Sequence, residues 1–222
     1  MMKGEIIMNF DFSVFDNFDW NIYEIFGTLH STVMNFIAEF FTLFGEGAFV
    51  IPLGLFGLFC ISTKKLRKVG GTLLLAIAFG TIMTNGIFKP LFGRPRPYVY
   101  YKDNSQFMNW YNGAGAHVES DKSFPSGHTT LAFETAVALF TTLNKKFSWI
   151  FLVMAVGTGL SRIYLCVHYP TDVIGGFVIG VIAGILGYFV ARAILKFANE
   201  TENPLIKKLN DFDLLDKFAK KS

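Results

Sequence analysis

Residues 171–197 read TDVIGGFVIGVIAGILGYFVARAILKF, the longest apolar run in the chain. A transmembrane helix needs about 20 mainly apolar residues, and this run exceeds that. Working outward, residues 147–166 and 126–143 form a second and third apolar segment, a predicted helical hairpin joined by Asn144, Lys145 and Lys146. Residues 71–88 run apolar from Gly71 to Phe88, and residues 46–62 are shorter and carry Pro52. Residues 20–44 are rich in Phe, Ile and Leu but contain Glu24, His30, Asn35 and Glu39. That segment is read as a sixth span with its polar residues facing the bundle, the alternative being an interfacial helix in the headgroups. The expected fold is therefore all-α, a polytopic membrane protein built as a six-helix transmembrane bundle, or five spans plus an N-terminal interfacial helix. Gly176, Gly180 and Gly184 recur every four residues on one face of the last span. They predict close helix packing within the bundle rather than a dimer seam.

Composition agrees with lipid as the solvent. Of 222 residues, 52% are apolar and 26 are Phe, and only 17% are charged, below the usual quarter of a soluble domain. The formal charge of +3 is too small to point to nucleic acid, and no obligate protein partner is evident. Cys60 and Cys166 form neither a CxxC pair nor a metal-ligand spacing. The N-terminus, with Glu5, Asp11, Asp16 and Asp19, lacks the basic stretch, apolar run and cleavage site of a signal peptide. Three parts are expected: an N-terminal segment over 1–19, a membrane-embedded domain over 20–197 and a basic tail over 198–222. Lys64, Lys65, Arg67 and Lys68, then Lys145 and Lys146, then Lys207, Lys208, Lys217, Lys220 and Lys221 fall on one side of the membrane. By the positive-inside rule that side is cytoplasmic. The opposite side receives residues 89–125, the turn around 162–170 and the link near Gly45. Tyr98, Tyr100, Tyr101, Trp110 and Tyr111 then suit a loop resting on the headgroups, or a lid over a lipid headgroup.

The remaining charges gather at the outer ends of three helices. Lys89, Arg94 and Arg96 surround Pro90, Pro95 and Pro97, which stop the helix at Lys89 and force an extended exit. Lys89 there complements a helix C-terminus as readily as it binds phosphate, whereas the planar fork of Arg96 suits two phosphate oxygens. Pro125, Ser126, Gly127 and His128 open a helix whose free N–H groups favour an anion. Ser126 as a plain cap explains everything except a histidine in the first turn. Last come Ser161, Arg162, His168, Pro170 and Asp172. Asp172 accepting from one ring nitrogen of His168 would leave the other free to attack, although a surface His–Asp pair at a helix start reads equally well. Taken together, the three groups point to a phosphate.

Lys89 and Arg96-Pro97, Pro125-Ser126-Gly127-His128, and Ser161-Arg162 with His168 and Asp172 resemble the three-part signature of the type 2 phosphatidic acid phosphatase family. The resemblance runs from about residue 30 to 195, and small bacterial undecaprenyl-diphosphate phosphatases are the most similar in appearance. It implies a metal-independent lipid phosphate phosphatase of the plasma membrane, with no cofactor and an extracytoplasmic active site. His168 is the implied nucleophile, forming a phosphohistidine, with Asp172 orienting it and His128 protonating the leaving oxygen. Lys89, Arg96, Ser126, Gly127 and Arg162 are the implied phosphate ligands. Arg94 lies outside the pattern and is read as a headgroup contact, Cys166 as packing. No carboxylate cluster appears near the site that would hold Mg²⁺. Undecaprenyl diphosphate is the expected substrate, with phosphatidylglycerophosphate or phosphatidic acid as alternatives. A vanadium haloperoxidase would reuse the anion site, but the membrane-spanning composition opposes it. A non-catalytic lipid-phosphate binder or transporter would be expected to lose His168, His128 or Asp172.

Overall fold

Helix α1 (Asp16–Gly27) and helix α2 (Thr32–Thr42) occupy the ambiguous N-terminal segment, so residues 20–44 are two helices and not one span. At 1.5 Å per residue they reach about 18 and 16 Å, well short of a 30 Å hydrocarbon core. The break is chemical: Thr28 Oγ1 donates to Ile25 O as α1 ends, and Ser31 caps α2 by accepting from Met34 N. The polar residues that spoil the apolar pattern find partners. Asn35 donates to Gly113 O at 2.8 Å and accepts from Tyr164 Oη, while Glu39 pairs with His117 at 2.7 Å. Both ends of the segment lie beside the same functional cluster, since Asp19 contacts Arg94 and Thr42 contacts Arg162. The reading of 20–44 as one continuous crossing is corrected on these grounds.

The computed structural model describes residues 10–219, with side chains through Asp216. Glu5, Lys220, Lys221 and the side chain of Lys217 lie outside the described residues, as do residues 1–9 of the N-terminal stretch compared with a signal peptide. After α2 come α3 (Gly47–Ile61) and α4 (Arg67–Thr81), which passes through a π-helical stretch (Ile82–Phe88) into α5 (Lys89–Phe92). Short helices α6 (Pro97–Tyr100) and α7 (Ser105–Gly113) precede α8 (Gly127–Thr142), α9 (Lys145–Tyr164) and α10 (Pro170–Glu200). The chain ends in α11 (Pro204–Asp211) and α12 (Leu214–Ala219), and no strand occurs among the described residues.

Three described helical stretches are long and apolar enough to cross a membrane: Arg67–Tyr100, Lys145–Tyr164 and Pro170–Glu200. The pair Thr32–Gly45 and Gly47–Ile61 has enough apolar length for a fourth when taken together, but it is bent by 48° at the break, as in a broken span or a re-entrant loop. Helix α8, with 16 residues, is shorter. Exposed Val153, Val156, Phe177, Ile182 and Phe189 give α9 and α10 an outward apolar belt, as expected where lipid replaces water.

The glycine ladder sets the core. A Cβ on Gly176 would lie 2.6 Å from Ser126 O, one on Gly180 2.7 Å from Thr130 O, and one on Gly184 2.6 Å from Val137 Cβ. All three contacts are with α8, so the small face packs inside the chain and draws the starts of α8 and α10 together. The tail folds back on the α3–α4 turn, where Arg67 donates to the carbonyls of Asn210 and Phe212 and Leu214 N donates to Ser62 O. Lys64, Lys65, Lys68, Lys145, Lys146, Lys207 and Lys208 thus share the end of the bundle away from Lys89, His128 and His168.

Candidate active site

Lys89 owes its position to the π stretch. Its N–H donates to Thr84 O, five residues back, and the widened turn admits Pro90, which has no N–H to give. The helix therefore runs through Pro90 to Phe92 rather than stopping at Lys89. Gly93, at φ 56°, ends it in the left-handed region where glycine is favoured. The chain then leaves extended through Arg94 and Arg96, both buried.

Arg94 does not reach a headgroup. Its guanidinium donates to Asp172 Oδ1 at 2.7 Å, Asp19 Oδ2 at 2.9 Å and Thr171 Oγ1 at 2.8 Å, and it stacks 3.5 Å from the Tyr169 ring centroid. It is a buried brace holding α1 to the start of α10. Asp172 is gripped further by Ser123 Oγ and by Tyr169 N at 3.1 Å, and its carbonyl accepts from Ser126 N at 3.0 Å. These bonds lock the first turn of α8 against that of α10.

His168 sits between Asp172 and Arg96. Its Nδ1 lies 3.4 Å from Asp172 Oδ2, its Nε2 lies 2.8 Å from Arg96 Nη1, and its carbonyl accepts from Tyr23 Oη at 2.8 Å. A guanidinium can only donate, so Nε2 is the bare nitrogen and the proton resides on Nδ1, toward the carboxylate. Burial, followed by the charges of Arg96, Arg162 and Lys89, holds His168 well below the usual imidazole range. The ring is neutral, with its lone pair directed at the cations.

Lys89, Arg96, Gly127, His128 and His168 line one cavity of about 300 Å³, reaching inward past Thr84, Thr130 and Glu134. A Cβ on Gly127 would lie 3.4 Å from Lys89 Nζ, and one on Gly45 2.7 Å from His128 Cβ. The bare backbone at both points admits the cation and the imidazole. Asp172 stands behind His168, outside the cavity wall. Arg162 is held by Thr42 Oγ1 at 2.5 Å and by the Glu119 carboxylate, with its Nε left without a partner. Arg162 and Ser126 are the two predicted ligands that do not line the cavity: Arg162 reaches it through Glu119, which does, and Ser126 Oγ accepts from Thr129 Oγ1 at 2.9 Å, so it builds the helix cap.

The sequence model of the PAP2 superfamily matches residues 70–196. The chain belongs to this superfamily. It is 30% identical over 184 residues to the undecaprenyl-diphosphatase BcrC of Bacillus subtilis, covering 80% of this chain and 88% of that protein. To a lipid A 1-phosphatase of Rhizobium etli it is 28% identical over 191 residues, 78% of this chain and 79% of the other. The crystal structure of a transmembrane PAP2-type phosphatidylglycerolphosphate phosphatase from Bacillus subtilis superposes with a TM-score of 0.63 at 26% identity, covering 86% of this chain and 89% of that one. This PAP2 protein is a membrane phosphatase of lipid phosphates.

The PAP2 site holds acidic residues that sequence reasoning missed. The Asp121 carboxylate pairs with both Lys89 and Arg96, and that of Glu119 with Arg162. Both acids lie in the segment after α7, where aromatic residues drew the reading elsewhere. Of those aromatics, Tyr98, Tyr101, Trp110 and Tyr111 pack with Tyr23, Phe107 and Tyr169 in a cluster that includes buried Cys166, while Tyr100 stays exposed. Asp19 carried no signal beyond its charge. Glu134 did, as a lone acid within an apolar run. Its carboxyl is buried against Gly80, and Oε2 has no partner.

Proposed function

We propose that this phosphatase removes the terminal phosphate of a lipid diphosphate, undecaprenyl diphosphate foremost, through a phosphohistidine formed on His168. One observation carries the reading: a neutral His168, protonated on the Asp172 side, presents Nε2 to a cavity walled by Lys89, Arg96, Gly127 and His128. Nε2 attacks phosphorus, the new P–N bond forms, and the bond to the lipid oxygen breaks. His128 supplies the proton that the leaving oxygen takes up, then accepts one from the water that attacks the phosphohistidine. Phosphate leaves and His168 returns to its starting state. The Nδ1–H faces Asp172, which stabilises the positive charge on the ring while the P–N bond exists. Lys89, Arg96, Arg162 and the Gly127 N–H stabilise the equatorial oxygens; phosphoryl transfer asks chiefly for positioning and charge of this kind.

Five crossings (α3, α4–α5, α8, α9 and α10) with α1 and α2 at the interface account for the helix lengths and for contact of both N-terminal helices with the site. The lysine clusters at the far end support a cytoplasmic assignment for that end and an extracytoplasmic site. Residues beyond Glu200 form the basic cytoplasmic tail. Undecaprenyl diphosphate is favoured by the likeness to BcrC, which extends over most of both chains. Phosphate release by the purified protein from undecaprenyl diphosphate, phosphatidylglycerophosphate, phosphatidic acid and lipid A tests this. The diphosphate should give the highest kcat/KM, by about tenfold or more; another substrate in first place overturns the assignment.

A further inference from the structure

Each cation assigned to the phosphate already has an anion. Asp121 bridges Lys89 and Arg96 from the loop between α7 and α8, and Glu119 of the same loop engages Arg162. The loop is built to place them. Tyr98 Oη donates to Glu119 O and accepts from Glu119 N, both at 3.0 Å, Arg96 Nε donates to Asp121 O at 3.1 Å, and Ser123 N donates to Arg94 O at 2.9 Å. Burial alone would raise the Asp121 carboxyl, but Lys89 and Arg96 overcome it and bring it down to about 2. Asp121 is therefore ionised throughout the working range. Glu119 and Asp121 also wall both the inner cavity and an outer groove of about 700 Å³ that includes Tyr98, Val99 and Lys122.

We propose that Asp121, together with Glu119, is a specificity-determining counter-anion: a ligand takes the phosphate site only by displacing these carboxylates. This rests on the assignment of Lys89, Arg96 and Arg162 to the substrate phosphate. Two carboxylates pair with three cations beside neutral His168, and Glu46 adds a further negative charge acting on Arg162. A terminal phosphomonoester carries nearly two charges and three free oxygens at neutral pH, and a diphosphate carries more. Either can replace both carboxylates charge for charge. A phosphodiester headgroup carries one charge and two free oxygens, and the exchange leaves cations unpaired in a buried site. The loop thus keeps the abundant phosphodiester lipids of the surrounding bilayer out of a site lined for phosphate.

The test compares Asp121→Asn with the parent in detergent, each checked for a cooperative thermal transition. Binding of inorganic phosphate is measured by calorimetry, and lipid phosphate turnover is measured in mixed micelles with increasing phosphatidylglycerol. The variant should bind inorganic phosphate about tenfold more tightly and become competitively inhibited by phosphatidylglycerol, to which the parent is indifferent. Equal or weaker phosphate binding, or inhibition of parent and variant alike, overturns the proposal. If Asp121→Asn does not fold, Glu119→Gln carries the same test through Arg162. Absence of turnover on every lipid phosphate would count against the proposed function, while the phosphate-binding comparison stays readable.

Discussion

Replacing Arg94 by Met keeps the length of the side chain and removes the guanidinium that binds two carboxylates at once. Asp19 and Asp172 are both fully buried, and Arg94 reaches them at 2.9 and 2.7 Å. Breaking a buried pair from one side costs about 3–5 kcal/mol, because a charge remains without its partner. A loss of that size lowers the melting midpoint by roughly 10 °C in a chain of this length. The effect should depend on pH with a definite sign. Burial, outweighing Thr171 and Arg94, already raises the Asp19 carboxyl above its usual range. A carboxyl raised by folding penalises the folded state when ionised, and that penalty is lifted as pH falls through its folded value. Without Arg94 the value rises further, so the gap between variant and parent should be widest near about pH 8 and narrow toward about pH 5.5. Adding Asp19→Asn to the variant should recover part of the loss at the higher pH. Thermal unfolding of the three proteins in one detergent at both pH values measures this. A variant melting with the parent at the higher pH, or a gap that widens on acidification, would refute the account of Arg94 as a buried brace.

Arg96→Ala and Arg162→Ala should each lower kcat/KM by about two to three orders of magnitude, the usual effect of removing one charge-stabilising group; steady-state phosphate release checks both. Gly180→Val forces a side chain toward Thr130 O, 2.7 Å from where its Cβ would stand. It should destabilise the protein by about 1–3 kcal/mol through overpacking of α10 on α8, read as a lower melting midpoint. Saturating EDTA should leave phosphate release unchanged, since Lys89, Arg96 and Arg162 supply the positive charge; loss of activity that added Mg²⁺ restores would contradict this.

What could be read from the sequence was whatever repeats or punctuates. The glycine ladder at 176, 180 and 184 announced close packing inside the bundle, because helical spacing alone fixes which residues share a face, but not that its partner is α8. His168 and Asp172 bracket a proline that must open a helix, so their proximity was local and legible. Residues 20–44 misled because two short helices and one long span share the same apolar content. Only the break at Thr28–Ser31 and the polar partners of Asn35 and Glu39 separate the two. The acids were hidden for another reason. Asp19, Glu119 and Asp121 meet Arg94, Arg162, Lys89 and Arg96 across long stretches of chain, and no local pattern encodes such pairs. Arg94 was misassigned for the same reason, both of its carboxylates arriving from elsewhere in the fold.

The central claim is the covalent role of His168, and trapping the intermediate tests it most directly. Protein mixed with a lipid phosphate labelled with ³²P in its terminal group, quenched in alkali within the first turnover, should carry label that is stable to base and released by acid. Peptide mapping should place it on His168, and a folded His168→Ala variant should acquire no label and release no phosphate. Label on another residue, or wild-type turnover by the His168→Ala protein, would contradict the account.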